Sequence, residues 1–292
     1  MVRVIRKNIE DIPVQLIRKL SDTVFLARPC DTKLPFDFIV DISDIKDTIV
    51  NTNQVAVIRP TEFYEKKCIF FAKAVKILGE SDEISVQEEI VKIFHSIPRQ
   101  FPPEVLEESD KIKLKITDND LRKRKDLRDL NFVTIDGRNA RDFDDAVFVE
   151  QIGMGFKLYV AIADVTHYIK VGSALDLEAR ERGNSYYFPT SVEPMFPPKL
   201  SNYICSLNPG EDRLAMVVEM DFNKQGDMKR SRFYGAVIKS KKRLTYSQVQ
   251  RAVIEGDMDE RREIGEGICE MLDSAKTLAE ILNKKKDYQG CN

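Results

Sequence analysis

The second half of the chain is organised around one stretch, Asn131-Phe-Val-Thr-Ile-Asp-Gly-Arg-Asn-Ala-Arg-Asp-Phe-Asp-Asp-Ala-Val-Phe-Val-Glu150. Both of its ends, residues 131–135 and 146–150, are rich in apolar and β-branched side chains, which is typical of buried strands. The ten residues between them, Asp136 to Asp145, contain four carboxylates and two guanidinium groups. The pattern therefore predicts an acidic loop between two buried strands.

The residues around this stretch alternate between strand and helix patterns, which predicts a mixed α/β domain over residues 131–292. A hairpin is expected at Gly153-Met-Gly155. Further strands are predicted at residues 158–163, 214–221 and 233–238, and helices at residues 245–254 and 260–286.

Residues 1–80 show a different pattern, with short alternating strands separated by turn residues. This predicts a small all-β barrel or sandwich. An oligonucleotide-binding (OB) barrel would use aromatic and basic residues to hold nucleic acid. Aromatic and basic residues alternate there, and the aromatic rings either stack on bases or fill the barrel core. The residues concerned are Phe36, Phe38, Phe63, Tyr64, Lys66, Lys67, Phe70 and Phe71.

Residues 81–130 are predicted to form a helical and charged linker. Ile90, Val91 and Phe94 have helical spacing, and prolines then interrupt the pattern. The later part is dense in charges and contains the basic run Arg122-Lys-Arg-Lys125. That run is either part of a solvated helix or a contact to phosphates.

The bulk properties fit a globular protein of about two domains. The chain has 292 residues, 42% hydrophobic and 32% charged, with a net charge of −2 that decides nothing about nucleic-acid binding. No apolar run approaches the length of about 18 residues needed to span a membrane, and the charged N-terminus does not resemble a secretory signal. Five scattered cysteines without a CxxC pair indicate reduced thiols, no zinc site and a cytoplasmic location.

The acidic loop is the strongest candidate for a chemical site. Four converging carboxylates repel one another, and cations between them would relieve that repulsion. Oxygen ligands suit Mg²⁺ or Mn²⁺, and two such ions can clamp a phosphodiester without a histidine base. The sequence has only two histidines, His95 and His167. A solvated Asp-rich turn stays open as an alternative, whereas a calcium loop is disfavoured because its Gly and Glu are out of register.

The stretch from Thr134 to Val147 resembles the signature of the ribonuclease II/ribonuclease R exoribonuclease family, and the resemblance extends over nearly the whole chain. Residues 75–80 and 97–105 resemble the junction between the second cold-shock domain and the catalytic domain of the ribonuclease R type. This resemblance implies that residues 1–80 form an OB-fold or cold-shock-like barrel that binds RNA. The other similar blocks, in the same order, are Leu158-Tyr-Val-Ala-Ile-Ala-Asp-Val165, Tyr187-Phe-Pro189, Pro194-Met-Phe-Pro-Pro-Lys-Leu-Ser201, Cys205-Ser-Leu-Asn-Pro209 and Lys242-Arg-Leu-Thr-Tyr-Ser-Gln-Val249.

The resemblance implies a hydrolytic exoribonuclease that degrades single-stranded RNA from its 3′ end to nucleoside 5′-monophosphates. It implies that Mg²⁺ (or Mn²⁺) is held by Asp136, Asp142, Asp144 and Asp145, and that Asp144 is the residue most directly tied to catalysis. Tyr187 matches the family tyrosine that stacks on the terminal base of the RNA. The alternative for Tyr187 is a packed strand residue beside Tyr186.

The resemblance also implies that the chain ends inside the catalytic domain, before further RNA contacts, a phosphate-binding arginine and a terminal RNA-binding barrel. We therefore expect little or no turnover from these 292 residues alone. A non-catalytic RNA-binding or regulatory fragment is the alternative function. Single-stranded RNA is the expected partner, and no membrane association is expected.

Overall fold

The chain divides into two units in a computed structural model that describes residues 11–46, 48–64 and 69–288. The first unit comprises Met1–Gln100 together with Ser185–Glu193, and the second comprises Phe101–Asn184 and Pro194–Asn292. A short segment from the second half of the sequence therefore belongs to the N-terminal unit.

The first unit contains a closed five-stranded barrel in the order β1-β2-β3-β5-β4. Closure pairs the edges of the sheet, and the alternating side chains that point inward form the core. The predicted barrel is confirmed, while Lys66 and Lys67 lie outside the described residues. The strands are β1 (Ile12–Lys19), β2 (Val24–Pro29), β3 (Phe38–Asp41), β4 (Gln54–Tyr64) and β5 (Ile69–Glu80).

The aromatic residues of the barrel divide between core and surface. Phe38 is buried in the barrel core. Phe36 and Phe70 stack on each other at 4.2 Å between ring centroids and are half-buried. Phe71 is partly exposed. Core packing therefore accounts for Phe38, whereas Phe71 is open to contact with another molecule.

Helix α1 (Ile84–Phe94) packs on the barrel, where Val86 and Ile90 join Val55 in a small apolar cluster. The spacing of Val86 and Ile90 by four places them on one face of the helix. The stripe predicted from the sequence is correct for Ile90 but wrong for Val91 and Phe94, which are exposed because the buried face contains Val86 instead.

The remaining elements follow in chain order, with β10 and β11 belonging to the first unit. They are α2 (Pro103–Lys111), α3 (Asp118–Lys123), β6 (Lys125–Asp126), β7 (Val133–Asp136), β8 (Asp145–Ile152), β9 (Gly155–Ala163), α4 (Ala174–Arg182), β10 (Tyr186–Tyr187), β11 (Val192–Glu193), β12 (Asp212–Phe222), β13 (Met228–Lys239), β14 (Lys242–Thr245), α5 (Tyr246–Val249), α6 (Met258–Ile264) and α7 (Glu266–Tyr288).

The second unit is built on a seven-stranded sheet in the order β14-β7-β8-β9-β12-β13-β6. Strands β8, β9, β12 and β13 are antiparallel neighbours, whereas β14 runs parallel to β7. One core contains Phe132, Ala161 and Leu200, and another forms where Val149 and Phe156 pack against α7. The predicted fold class, a mixed α/β domain preceded by a small barrel, is confirmed.

The helices near the C-terminus differ from the prediction. The single helix expected over residues 260–286 is two helices, because Gly265 has a φ of 99° that a right-handed helix cannot accommodate. The helix expected from Thr245 begins one residue later, since the Thr245 side chain caps it by accepting a hydrogen bond from the Gln248 amide. It continues as a π-helix over Gln250–Glu255. No helix in the described ranges is long and apolar enough to cross a membrane.

Candidate active site

The acidic loop connects the end of β7 to the start of β8. Asp136 is the last residue of β7 and Asp145 is the first of β8, so two of the four carboxylates lie on strand ends. Asp142 and Asp144 lie in the irregular segment between them. All four belong to the second unit, as the sequence pattern predicts for a loop between two strands.

Arg243 on strand β14 holds the first part of this loop. Its Nη2 donates hydrogen bonds to the carbonyl oxygens of Gly137 (2.6 Å) and Arg138 (2.8 Å). The parallel register of β14 with β7 places Arg243 opposite Thr134, two residues before Asp136. Its guanidinium also lies 5.5 Å from the centre of the Phe143 ring. A charged side chain from another strand thus fixes the backbone directly after Asp136.

Ser206 holds the second part of the loop. Its buried hydroxyl accepts a hydrogen bond from the Phe143 amide (3.0 Å) and donates one to the Arg141 carbonyl (3.1 Å). The amide of Leu207 donates to the Phe143 carbonyl at 2.9 Å. The Phe143 side chain is buried in the core. The backbone on both sides of Asp142 is therefore anchored.

Arg213 fixes the segment that carries Ser206. This arginine on β12 is buried, and its Nε donates to the Ser206 carbonyl at 2.8 Å. Its Nη2 donates to the Tyr203 carbonyl at 2.9 Å and contacts the Glu211 carboxylate. A buried guanidinium needs such partners because an unpaired charge is costly in the interior. The acidic loop is thus supported by a second layer of polar contacts.

Sequence reasoning did not assign a role to Ser206, Arg213 or Arg243. Ser206 and Arg243 lie inside two of the blocks that carry the family resemblance, so their position in those blocks was the available signal. Arg213 lies just outside these blocks, and a lone arginine in a strand gives no sequence signal for burial.

The carboxylates influence one another electrostatically. Asp144 is open to solvent, but many protein atoms surround its carboxyl group, and this desolvation raises its pKa together with the charges of Asp142, Asp145 and Asp136. The result is a pKa of about 6 for Asp144. Burial and the Asp145 charge also raise the pKa of Asp136, although Arg243 partly offsets the effect. The four side chains therefore form one coupled acidic group.

The four carboxylates of the acidic loop are chemically suited to bind a divalent cation. The described residues contain no group of three or more His, Cys, Asp or Glu side chains already arranged to hold an ion. Burial and, after it, mutual repulsion raise the pKa values of Asp136 and Asp144, and a cation would relieve the repulsion. Oδ2 of Asp136 is buried and has no hydrogen-bond partner among the described residues. A buried carboxylate oxygen in that state suits a hard cation such as Mg²⁺ or Mn²⁺.

Tyr187 lies in the first unit, on strand β10, and is 62% exposed. Such exposure leaves its ring open to a ligand. The two histidines have other surroundings: His167 lies 4.0 Å from Asp120, and His95 caps the C-terminus of α1.

The chain resembles known ribonucleases in sequence and in structure. The RNB domain family matches residues 124–291. Ribonuclease R of Thermotoga maritima is 42% identical over 90% of this chain and 37% of its own length, and ribonuclease R of Escherichia coli is 38% identical over 90% of this chain and 32% of its own length. The chain therefore spans about a third of the length of these curated relatives.

The structural comparison agrees with the sequence comparison. Mycoplasma genitalium RNase R, solved in complex with double-stranded RNA, matches with a TM-score of 0.82 and 27% identity over 99% of this chain and 50% of that one. Yeast Ssd1, described as a pseudonuclease, shares the fold with a TM-score of 0.58 at 18% identity, covering 85% of this chain and 32% of its own. The predicted resemblance is confirmed, and the chain belongs to the RNB domain family.

Proposed function

We propose that this chain carries the metal-binding centre and one RNA-binding barrel of a hydrolytic exoribonuclease, which degrades single-stranded RNA from the 3′ end to nucleoside 5′-monophosphates. The proposal is supported by the ribonuclease R relatives. The observation that carries it is the acidic loop, in which four carboxylates are coupled and the backbone is anchored by Arg243 and Ser206.

Asp136, Asp142, Asp144 and Asp145 would hold Mg²⁺ or Mn²⁺. When bound, such ions polarise the scissile phosphate and acidify a bound water. Asp144 would orient the attacking water and accept its proton at the carboxylate. Arg243 and Ser206 would keep the backbone of the loop in place during the reaction.

The RNA would be held by contacts that do not read its sequence. The exposed ring of Tyr187 can stack on the terminal base, and the barrel presents Phe71 for further contact. Single-stranded RNA is thus the proposed partner. Among the described cysteines, Cys30, Cys205 and Cys269 are free thiols, which supports the cytoplasmic location proposed from cysteine usage.

A non-catalytic RNA-binding module is the second candidate. It is favoured by one observation, since Ssd1, described as a pseudonuclease, shares this fold. The fold alone therefore does not establish catalysis. The four coupled carboxylates argue against the alternative, because a protein that only binds RNA gains nothing from negative charge where phosphates must lie.

The test is RNA degradation by the protein that carries this chain, with 5′-labelled single-stranded RNA and Mg²⁺. The wild-type protein should shorten the RNA from its 3′ end, and Asp144→Asn should abolish shortening while RNA affinity stays the same or rises. Asp259→Asn is the matched control, because Asp259 is an exposed carboxylate on α6. Full activity of Asp144→Asn would refute the assignment. RNA binding without any shortening by the wild-type protein would favour the non-catalytic module.

A further inference from the structure

The hairpin that carries Tyr187 is a separate small structure within the first unit. Strands β10 and β11 pair in the register Tyr186↔Glu193 and Tyr187↔Val192. At its tip, the Phe188 amide donates to the Ser191 carbonyl at 2.8 Å. Two pairs of residues make a weak sheet, since an isolated two-stranded hairpin is marginally stable at best. Contacts from outside the hairpin must therefore hold it in position.

Glu88 of helix α1 supplies the first set of these contacts. Its buried carboxylate accepts hydrogen bonds from the amide and hydroxyl of Thr190 (2.7 and 2.8 Å) and from the Ser191 hydroxyl (2.8 Å). Although burial opposes ionisation, the hydrogen bonds from Ser191 and Thr190 lower the pKa of Glu88. A charged group thus accepts three hydrogen bonds from two adjacent residues at the hairpin tip.

Lys92, one helical turn further along α1, supplies the second set. This buried lysine lies 2.8 Å from the Glu193 carboxylate and donates to the Ser191 hydroxyl at 2.9 Å. Its Nζ also lies 4.9 Å from the centre of the Phe188 ring. Lys92 therefore contacts Phe188 and Ser191 at the hairpin tip. It also contacts Glu193, the residue that pairs with Tyr186.

The charged side chains of Glu88 and Lys92 depend on the hairpin for most of their hydrogen bonds and ion pairs. Buried charged side chains are costly unless they are paired and hydrogen-bonded. Among the residues that the structure describes, the side-chain hydrogen bonds to Glu88 come from the hairpin, and Lys92 has one further carboxylate, Glu89, at 3.4 Å. Displacing the hairpin would leave both groups short of partners. The resting position of the hairpin is therefore strongly preferred.

We infer that Glu88 and Lys92 are positioning residues for Tyr187: they fix the hairpin on α1 so that the exposed ring is presented in one orientation to the terminal base of the RNA. The inference rests on the proposed stacking role of Tyr187. It assigns helix α1 a function in holding the RNA end, although neither charged side chain needs to touch RNA.

The test uses the full chain and a short single-stranded RNA whose 3′-terminal base is 2-aminopurine, in buffer with EDTA so that no cleavage occurs. Stacking on an aromatic ring strengthens binding by about five- to 150-fold per base and quenches the fluorescence of the probe. Glu88→Gln and Lys92→Met should remove only a fraction of this stacking contribution, so they should weaken binding by about three- to tenfold and restore part of the fluorescence. Lys92→Arg should retain most of the quenching. Gln87→Ala, on the same helix but bonded to the Ser81 carbonyl, is the matched control.

The same substitutions in a Tyr187→Ala background separate positioning from general structure. If Glu88 and Lys92 act through Tyr187, they should cause no further loss once the ring is gone. Equal losses in both backgrounds, or wild-type quenching by Glu88→Gln and Lys92→Met, would overturn the inference while leaving the stacking role intact. Unchanged quenching by Tyr187→Ala alone would overturn the stacking role and the inference with it.

Two variants on the hairpin side of these hydrogen bonds check that the effect is not caused by unfolding. Thr190→Val and Ser191→Ala remove the two hydroxyl hydrogen bonds to Glu88, whereas both charged side chains of α1 and the Thr190 amide bond are kept. They should reproduce the loss of quenching. Normal quenching by these two variants, with intact thermal melts, would contradict the inference.

Discussion

Replacing Arg243 with methionine should loosen the acidic loop without disturbing its carboxylates. The side chain donates two hydrogen bonds to loop carbonyls, at 2.6 and 2.8 Å. Bonds from a charged donor contribute about 1.5–3 kcal/mol each, and half-burial of Arg243 favours the lower end, so we expect a loss of about 3 kcal/mol in the free energy of unfolding for the two bonds. Methionine keeps the apolar packing against Phe143.

The same substitution should weaken metal binding. Arg243 offsets part of the pKa increase that burial and Asp145 impose on Asp136, and it fixes the backbone after that residue. Removing a residue that orients metal ligands typically lowers metal affinity by about 10- to 100-fold. Arg243→Lys keeps the positive charge on a shorter side chain without the planar guanidinium, so it should give an intermediate value.

Two measurements on Arg243→Met check this reasoning: urea unfolding for stability and isothermal titration with Mn²⁺ for affinity. Arg262→Met is the control, because that arginine is exposed on α6, and its loss should change stability by about 0.5 kcal/mol or less. Wild-type stability and wild-type Mn²⁺ affinity in Arg243→Met would refute the conclusion that this arginine anchors the acidic loop.

Further predictions concern pH, the second anchor and two glycines. The folded protein binds a proton at Asp144 more tightly than the unfolded chain, so in metal-free buffer the stability contributed by protonated Asp144 should be lost as the pH rises from 3.8 to about 6. Urea unfolding of Asp144→Asn should lack this loss relative to the wild type, and carboxyl NMR should show a group titrating near the upper value. Ser206→Ala should cost about 1–3 kcal/mol in urea unfolding, because two backbone groups of the loop lose their partner, whereas the exposed Ser247→Ala should be neutral. Gly265→Ala, at a φ of 99°, should destabilise by about 1 kcal/mol or more. Gly267→Ala should stabilise α7 by about 0.5 kcal/mol, since an added Cβ has its nearest neighbour at 3.8 Å. In thermal melts, Gly265→Ala should therefore lower the melting temperature and Gly267→Ala should raise it.

The sequence predicts the strands of both units because their apolar residues alternate with a period of two. The contacts between distant residues that anchor the acidic loop cannot be predicted from this periodicity. Arg243 reaches Gly137 only because β14 pairs with β7, and Ser206 reaches Phe143 across 63 residues of sequence. Such contacts depend on the order of strands in the sheet, which local periodicity does not encode.

The hairpin with Tyr187 shows a second limit of sequence reasoning. Its block carries part of the family resemblance, but nothing in the local pattern places residues 185–193 with the N-terminal unit. The contacts that do so join Glu88 to Thr190, which are 102 residues apart. The sequence predicts one long C-terminal helix without a break, because a glycine inside an apolar repeat is usually tolerated. Only the observed φ of Gly265 shows the interruption.

Mn²⁺ binding to the acidic loop tests the central claim most directly. Titration calorimetry and the electron paramagnetic resonance signal of Mn²⁺ should show saturable binding to the wild-type chain. The Asp136→Asn, Asp145→Asn double variant should lose that binding, whereas Asp259→Asn should keep it. Equal Mn²⁺ binding by the wild-type chain and the double variant would contradict the assignment of these four carboxylates as the metal centre.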